Sequence, residues 1–384
     1  MKFPGSIHSK LPKVGTTIFT VMSGLAREYG AVNLSQGFPD FSIPERLVEL
    51  THSYMKKGLN QYSPMQGAPI IRERLAEKVE QLYSAKYDPN TEINITAGAT
   101  QAIYTAISAF VGEGDEVIIF EPAYDCYVPA IEVHGGIPVY VQMNLSGELI
   151  DWDNVKKLLN QRTRMIIINT PHNPSGRVMN AQDMLKLQKL TDGTDIIIMS
   201  DEVYEHIIFD GMEHQSVARF PKLAERSIVV SSFGKTYHNT GWKIGHVLAP
   251  KELMTEFRKV HQFNVFSVNT PAQYALADFL QDKEHYLELD KFYQEKRDTF
   301  NQLVSGSRFK IRPSEGTYFQ LLDYSDISDE KDTDYAIRLT KEVGVASIPV
   351  SVFYHEKNED RFLRFCFAKE DETMEKAAEK LLRL

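Results

Sequence analysis

Residues 195–204 read DIIIMSDEVY, and the change from apolar to polar within them indicates how the chain folds. The apolar half is rich in isoleucine, which is typical of a strand buried on both faces of a mostly parallel sheet. The polar half begins at Asp201. Because the carboxyl ends of such strands face the ligand crevice of α/β proteins, Asp201 is a candidate site residue. The alternative is that Asp201 only caps a helix, a position that aspartate favours.

Six further apolar runs of the same kind lie on either side of this stretch. They are residues 93–96 (INIT), 116–120 (EVIIF), 137–142 (IPVYVQ), 164–169 (RMIIIN), 227–231 (SIVVS) and 244–248 (IGHVL). Helix-like stretches separate several of the runs, including residues 100–111 and 180–191. This alternation predicts an α/β, doubly wound architecture in which the seven runs form a mostly parallel sheet.

The last hundred residues have a different pattern. Residues 282–304 form a long helical pattern of mixed charge, and residues 370–384 change from acidic to basic, which complements a helix dipole. Shorter strand candidates lie at 316–322 and 361–367. The predicted division of the chain is a segment that packs against the small domain or a partner (1–40), a large domain (41–280) and a smaller α/β domain (281–384).

Composition is that of a folded, soluble protein. Of 384 residues 42% are apolar, and 43 basic against 52 acidic side chains leave a net charge of −9. This acidic balance argues against nucleic acid or an anionic membrane as partner. Two cysteines, Cys126 and Cys366, are too few for a disulfide scaffold or a zinc cluster, so no metal site is expected. Because neither a signal peptide nor a membrane span is evident, we expect a cytoplasmic protein.

Two lysines follow the strand predicted at 227–231. Lys235 lies in the turn SSFGK, which also contains Ser232, and Lys243 follows in TGWK. Lysines beside hydroxyls and glycines can hold a phosphate and offer an amine, and a neighbouring cation lowers the pKa of that amine. Taken alone, a lysine such as Lys235 is more often a solvated surface residue.

Two more motifs lie directly after predicted strands. The segment AGATQ, residues 97–101, contains Gly98, Ala99 and Thr100 and opens a helix, where backbone N–H groups suit a phosphate. The segment NTPHNPSG, residues 169–176, contains Asn173 and is by itself a turn signal. Pro122 and Pro174 are candidates for cis peptide bonds.

The order of these motifs along the chain is far more specific than any one of them. GAT, EPAYD, NTPHNPSG, SDEVY, SSFGK, TGWK and FLRFCF follow one another between residues 98 and 367. On this pattern the chain resembles the fold-type I pyridoxal-phosphate aminotransferases of class I and II. It looks most similar to the branch of bacterial methionine aminotransferases and of kynurenine and glutamine transaminases, and the resemblance covers nearly the whole chain.

The resemblance implies pyridoxal 5′-phosphate as the cofactor and assigns roles around it. Lys235 forms the Schiff base and moves protons, Asp201 pairs with the pyridine nitrogen, and Tyr204 hydrogen-bonds the phenolate oxygen. Tyr124 stacks on the ring. The implied cofactor-binding set is Gly98, Ala99, Thr100, Tyr124, Asn173, Asp201, Tyr204, Ser232, Lys235, Lys243 and, reaching over from the other subunit of a homodimer, Tyr62.

The resemblance also implies the substrates, an amino acid and a 2-oxo acid. Arg364 would grip the α-carboxylate, although an arginine on an edge strand could also be a surface residue. Residues 264–270 (NVFSVNT) carry no second cation, which disfavours aspartate and glutamate and makes methionine the expected donor. The implied substrate-binding set is Arg364, Asn173, Gly37, Phe19, Phe38, Tyr62 and Phe266.

Three alternatives stay open at this point. Phenylalanine, histidine, glutamine or kynurenine could be the donor instead of methionine. Elimination from cysteine conjugates is a second reaction of the same cofactor, because it needs mainly a leaving group on the substrate. A non-catalytic DNA-binding regulator is disfavoured, since only about 30 residues precede the matching region and the chain is acidic.

Overall fold

The seven apolar runs form one sheet in the computed structural model, which describes Met1, residues 3–356 and residues 360–384. In spatial order its strands are Ile93–Thr96, Gly245–Leu248, Ser227–Ser232, Ile197–Asp201, Thr163–Asn169, Glu116–Glu121 and Ile137–Gln142, and Gly245–Leu248 alone runs antiparallel to the rest. The predicted mostly parallel, seven-stranded sheet is confirmed. Within the described residues the strands are, in chain order, β1 (Val32–Asn33), β2 (Ile93–Thr96), β3 (Glu116–Glu121), β4 (Ile137–Gln142), β5 (Thr163–Asn169), β6 (Ile197–Asp201), β7 (Ser227–Ser232), β8 (Gly245–Leu248), β9 (Lys310–Ile311), β10 (Phe319–Asp323), β11 (Val345–Ala346), β12 (Ile348–Pro349) and β13 (Phe362–Cys366).

Helices cover both faces of this sheet, as a doubly wound fold requires. In β3, Ile118 packs into one apolar core and the next residue, Ile119, into another; Ile166 and Ile167 of β5 divide in the same way. In chain order, the α-helices of the described part are α1 (Ile18–Tyr29), α2 (Glu45–Lys56), α3 (Pro69–Tyr83), α4 (Ala99–Phe110), α5 (Tyr127–Val133), α6 (Trp152–Leu158), α7 (Ala181–Thr191), α8 (Pro221–Ala224), α9 (Phe233–Thr236), α10 (Lys251–Asn264), α11 (Thr270–Phe279), α12 (Glu284–Leu287), α13 (Leu289–Val304), α14 (Asp332–Arg338) and α15 (Asp371–Leu381).

A second, antiparallel sheet lies in the C-terminal part, in the order β12-β13-β10-β9. The N-terminal segment joins this part, because β1 pairs in parallel with β11 and Leu34 O accepts a hydrogen bond from Cys366 N. The domain boundaries themselves stay a prediction. The long helix expected over 282–304 is wrong as a single element: α12 and α13 are separated at Glu288, whose φ of −96° and ψ of 0° interrupt the helix.

Three X-Pro bonds are cis. Two of them, before Pro122 and Pro174, are the ones that the sequence indicated, and the third precedes Pro171. All three lie in loops that follow β3 or β5 and lead toward the carboxyl edge of the sheet. As to membranes, none of the helices in the described ranges combines the length and the apolar character that spanning a bilayer requires.

Candidate active site

A cleft lies at the carboxyl edge of the large sheet, where β5, β6 and β7 end. It brings together ten of the eleven residues predicted to bind the cofactor, all except Tyr62. A larger cavity of about 820 Å³ lies elsewhere, beside Trp152 and Lys186, and contains none of the ten. The cleft is lined by Gly98, Ala99, Thr100, Ile103, Tyr124, Asn169, Asn173, Asp201, Val203, Tyr204, Ser232, Gly234, Lys235, Thr240 and Lys243.

Lys235 lies on the short helix α9, which directly follows β7. The Ser232 hydroxyl caps this helix by accepting a hydrogen bond from Gly234 N at 3.2 Å. The Lys235 amine donates to Gly37 O at 3.0 Å and to the Tyr318 hydroxyl at 2.7 Å. Burial lowers the pKa of Lys235 to about 8, so an appreciable fraction of the amine is neutral near physiological pH. A neutral amine is the form that acts as nucleophile and base.

Asp201 is the last residue of β6 and is almost completely buried. Its Oδ2 accepts a hydrogen bond from the Tyr127 hydroxyl at 2.6 Å. Burial raises the pKa of Asp201 to about 6 despite that hydrogen bond. Within the described ranges no lysine or arginine forms an ion pair with this carboxylate. A buried carboxylate without a cation fits the protonated ring nitrogen of pyridoxal 5′-phosphate.

The opposite end of the cleft has the features of an anion site. Helix α4 begins at Ala99, and no side chain caps its N-terminus at Gly98. The Lys243 amine lies there, since a Cβ added to Gly98 would be 3.4 Å from Lys243 Nζ. Free N–H groups at a helix start, a lysine and the Ser232 hydroxyl together suit a phosphate. The residues present therefore fit both ends of the cofactor.

Arg364 lies on β13 and is 1% exposed. The alternative of a surface arginine on an edge strand is excluded, because β13 pairs with both β10 and β12. Its guanidinium donates to Asn173 Oδ1 at 2.7 Å and to Ser35 O at 3.2 Å, while its Nε has no partner among the residues that the structure describes. None of the described carboxylates forms an ion pair with it. A buried cation with a donor to spare fits a substrate carboxylate.

The contact with Arg364 also fixes the orientation of the Asn173 amide. An arginine only donates hydrogen bonds, so the atom facing it is the amide oxygen, and the NH₂ group of Asn173 remains available as a donor. Asn173 N in turn donates to Asn169 Oδ1 at 2.8 Å, and Asn169 Nδ2 donates to Asp201 O at 2.9 Å. A chain of hydrogen bonds thus connects the arginine with the strand end that carries Asp201.

Aromatic rings surround the Arg364 guanidinium. Its central carbon lies 3.9 Å from the ring centroid of Phe319, 5.3 Å from that of Phe19 and 5.6 Å from that of Phe353. The rings of Phe19 and Phe353 are 6.1 Å apart. The predicted neighbour Phe19 therefore lies beside the arginine, in an apolar and aromatic setting.

The remaining predicted residues lie in two different places. Gly37 is inside the site: its carbonyl accepts from Lys235, and a Cβ added to it would lie 2.7 Å from the Phe319 ring. Phe38 is 45% exposed, and its carbonyl accepts from Lys369 Nζ at 2.8 Å. The structure does not bring Tyr62 and Phe266 into the cleft. These two rings lie on the surface of the chain, with centroids 5.4 Å apart.

Two tyrosines of the site were missed by the sequence reasoning. Tyr318 contacts Lys235 and Tyr127 contacts Asp201. The sequence indicates these two tyrosines only through their positions. Tyr318 lies within the strand candidate 316–322, and Tyr127 lies three residues after Tyr124.

Two histidines of the motifs are packed and neutral. Burial lowers the pKa of His172 to about 3 and that of His238 to about 4. His172 Nδ1 is hydrogen-bonded to the Ser175 hydroxyl at 2.7 Å and His238 Nδ1 to the Tyr293 hydroxyl at 2.9 Å. These contacts favour a packing role over direct catalysis.

Comparison with known proteins agrees with this geometry. The chain is 50% identical to the methionine aminotransferase of Escherichia coli K12, with 98% of each chain covered. It is 36% identical to kynurenine–oxoglutarate transaminase 1 of Mus musculus, with 91% of each covered. Among solved structures it matches that of YbdL from Escherichia coli, described as having a methionine aminotransferase function, with a TM-score of 0.97, 49% identity and coverage of 99% of this chain and 100% of that one.

The family model for aminotransferase class I and II matches residues 29–381. This range includes every predicted site residue except Phe19. The match, the full-length relatives and the cleft that accommodates both ends of the cofactor agree with one another. The chain therefore belongs to the class I and II aminotransferases, which work with pyridoxal 5′-phosphate.

Proposed function

We propose that this aminotransferase takes its amino group from L-methionine, and also from other neutral or aromatic amino acids, and passes it to a 2-oxo acid. The observation that carries the proposal is Arg364, a buried guanidinium without a carboxylate partner among the described residues and with aromatic rings around it. The arginine binds the α-carboxylate, and the rings are left for the side chain. The 50% identical relative that acts on methionine supports this choice.

The residues of the cleft divide the work between binding and proton transfer. When bound, the cofactor supplies an aldehyde carbon and an electron-withdrawing ring. Asp201 would keep the ring nitrogen protonated, and Asn173 and Tyr204 would donate hydrogen bonds to the phenolate oxygen. Lys235 Nζ takes the proton from the substrate Cα and delivers it again, a task that a pKa of about 8 suits.

The remaining cleft residues hold the cofactor in place. The N–H groups of Ala99 and Thr100, the Ser232 hydroxyl and the Lys243 amine would bind the phosphate. Tyr124, which lines the cleft, would pack on the ring face, and the Gly37 backbone, whose carbonyl accepts from Lys235, would approach the substrate.

Two features select the side chain of the amino donor: the aromatic rings beside Arg364, and the lack of a second cation at those rings among the described residues. A thioether makes favourable contacts with aromatic rings such as those of Phe19 and Phe353. Arg364 is the cation that lies over these two rings, and the α-carboxylate occupies it, so a side-chain carboxylate would be buried there without a cation of its own. Methionine is therefore preferred over aspartate.

Steady-state kinetics test this proposal. We expect kcat/KM for L-methionine to exceed that for L-aspartate by about 100-fold or more, because an unpaired buried charge costs ~2–3 kcal/mol or more. L-Methionine without an oxo acid should also change the visible absorption of the purified enzyme, and Lys235→Ala should abolish turnover. Equal kcat/KM values, or a higher value for aspartate, would overturn the choice of donor.

A second candidate activity is that of a kynurenine or glutamine transaminase with a cysteine-conjugate β-lyase reaction. The 36% identical kynurenine–oxoglutarate transaminase is the observation that favours it. Release of pyruvate and ammonia from an S-conjugate, without any added oxo acid, identifies the elimination. A kcat/KM for kynurenine above that for methionine would make it the main activity.

We also propose that the enzyme is a homodimer of the cytoplasm. Three exposed aromatic residues form what we call the exposed aromatic cluster: Tyr62 is 81% exposed and its ring lies 5.4 Å from that of Phe266, and Phe263, three positions before Phe266 in the chain, is 86% exposed. Such a cluster is typical of an interface, and in a dimer Tyr62 would reach the phosphate of the partner's site. Both cysteines are free thiols, which favours a reducing compartment.

A further inference from the structure

A buried carboxylate next to the cleft takes part in none of the contacts described so far. Glu205 follows the cleft residue Tyr204, and its Oε1 lies 2.8 Å from Lys78 Nζ, with both side chains 6% exposed. The Tyr83 hydroxyl donates to Oε2 at 2.6 Å, and the Ser231 hydroxyl donates to Oε1 at 2.9 Å. One carboxylate thus joins helix α3 to the end of β7.

The charge of this carboxylate is balanced within the cluster. Burial alone would raise the pKa of Glu205, but the Lys78 ammonium holds it well below its ordinary value. His206 and His246 are themselves neutral, because burial lowers the pKa of each to about 3. Lys78 is therefore the cation that offsets Glu205 among the described side chains. An ionised carboxylate is a strong acceptor and holds its donors in fixed positions.

The donor from β7 connects this cluster to the phosphate end of the site. Ser231 precedes Ser232, whose hydroxyl lines the cleft and caps the helix that carries Lys235. Ser231 is almost completely buried, and its carbonyl would lie 2.7 Å from a Cβ added to Gly245, so there is little room for it to shift. The hydrogen bond to Glu205 adds a side-chain contact at the strand residue directly before Ser232.

We propose that Glu205, neutralised by Lys78, is a positioning residue for the phosphate subsite, acting through Ser231 on the adjacent Ser232 hydroxyl. This inference rests on the proposed role of Ser232 in binding the cofactor phosphate. It predicts that loss of the Glu205–Ser231 contact weakens the binding of a ligand with a phosphate and leaves the binding of the same ligand without one unchanged.

The experiment compares pyridoxal 5′-phosphate with pyridoxal, which lacks the phosphate, on the full chain freed of cofactor. Equilibrium dialysis gives the dissociation constant of each. Ser231→Ala should raise the dissociation constant of pyridoxal 5′-phosphate about tenfold, as expected for the loss of one hydrogen bond to a charged group. It should raise the dissociation constant of pyridoxal less than about twofold. Ser227→Ala is the matched control: it removes a buried hydroxyl of the same strand, bonded to Leu223 O at 2.6 Å, and should change neither constant.

A second variant separates positioning from stability. Removing only one member of the Lys78–Glu205 pair leaves a buried charge and destabilises the fold, whereas Lys78→Met combined with Glu205→Leu removes both. The Tm of this double variant should lie within a few degrees of that of the parent, unlike the Tm of either single variant. The loss of affinity for pyridoxal 5′-phosphate relative to pyridoxal should persist, because Ser231 has lost its acceptor.

Several results would overturn the inference. An equal loss for both ligands in Ser231→Ala, no loss at all, or the same loss in Ser227→Ala would show that the contact does not act on the phosphate. If the double variant recovered its affinity for pyridoxal 5′-phosphate together with its Tm, the Lys78–Glu205 pair would have only a structural role. Failure of the underlying site assignment is recognised separately, since the unaltered chain would then bind the two ligands equally well.

Discussion

At Asp201 the fold buries a carboxylate whose side chain receives hydrogen bonds, within the described residues, only from the Tyr127 hydroxyl and, at 3.4 Å, from Val203 N. In the chain without cofactor this burial raises the pKa from 3.8 to about 6. Well below pH 3.8 the group is protonated in both the folded and the unfolded chain and costs nothing. As the pH rises from there through 6, the unfolded chain ionises first and the folded chain must then hold a buried charge, so the free energy of unfolding falls and stays lower above pH 6.

Asp201→Asn should therefore stabilise the cofactor-free chain at pH 7.5 by up to about 3 kcal/mol, at 1.36 kcal/mol per pKa unit, with the gain disappearing toward pH 4. Urea denaturation at both pH values measures it. Asp192→Asn, an exposed aspartate near Lys222, is the control and should change the free energy of unfolding by less than about 0.5 kcal/mol. A variant that is no more stable than the parent at pH 7.5 contradicts the prediction.

Residues with a chemical motif could be predicted, whereas residues placed by folding alone could not. Lys235, Asp201 and Asn173 each follow a recognisable strand within a polar motif, and all three line the cleft. Tyr318 is 83 positions from Lys235 along the chain, so their contact depends on how the small sheet docks. No local pattern encodes such docking. The same holds for Tyr62, whose predicted place in a partner's site depends on a second chain.

At the level of elements, Gly245 allows β8 to approach the start of α4. A Cβ at this position would lie 2.7 Å from Ser231 O, 3.0 Å from Gly98 C and 3.1 Å from Ala99 N. Since all three are backbone atoms, Gly245→Ala should lower the free energy of unfolding by about 2–3 kcal/mol and weaken phosphate binding. Thermal denaturation and cofactor dialysis provide the two measurements.

Gly24, in the interior of α1, is the matched control. A Cβ there would meet nothing within 4 Å, so Gly24→Ala should raise the free energy of unfolding by about 0.5–1 kcal/mol through the higher helix propensity of alanine. If both substitutions had the same effect, close backbone approach at Gly245 would not be what requires glycine.

The strands of the large sheet were predicted well from long apolar runs, because a strand that is buried on both faces is apolar at nearly every position. Strands of two residues, such as Val32–Asn33 and Val345–Ala346, are too short to show any period. The antiparallel direction of β8 could not be predicted either, because a continuous apolar run shows the same hydrophobic pattern in both chain directions. The charge pattern of 282–304 continues across Glu288, so the break between α12 and α13 left no trace in it.

For the whole molecule, the exposed aromatic cluster predicts self-association. Light scattering after gel filtration should give twice the chain mass of 43.8 kDa at micromolar concentration. Phe263→Arg, at a ring that is 86% exposed, should shift the enzyme toward the single-chain mass, because a cation disfavours an apolar interface. Leu185→Arg, at an exposed leucine of α7, should leave the mass unchanged. A single-chain mass for the parent enzyme would refute the dimer.

The pairing of β1 with β11 has a consequence for the order in which the protein is made. Val32 pairs with Val345, and Leu34 O accepts from Cys366 N, so a segment that leaves the ribosome early bonds to partners that leave it late. At ~5–20 residues per second the nascent N-terminal segment waits roughly 15 to 60 seconds for them. Gly37, which contacts Lys235, belongs to this waiting segment. The last strand to be translated, β13, carries Arg364 and thus completes the active site, so we expect chains released before it to be inactive.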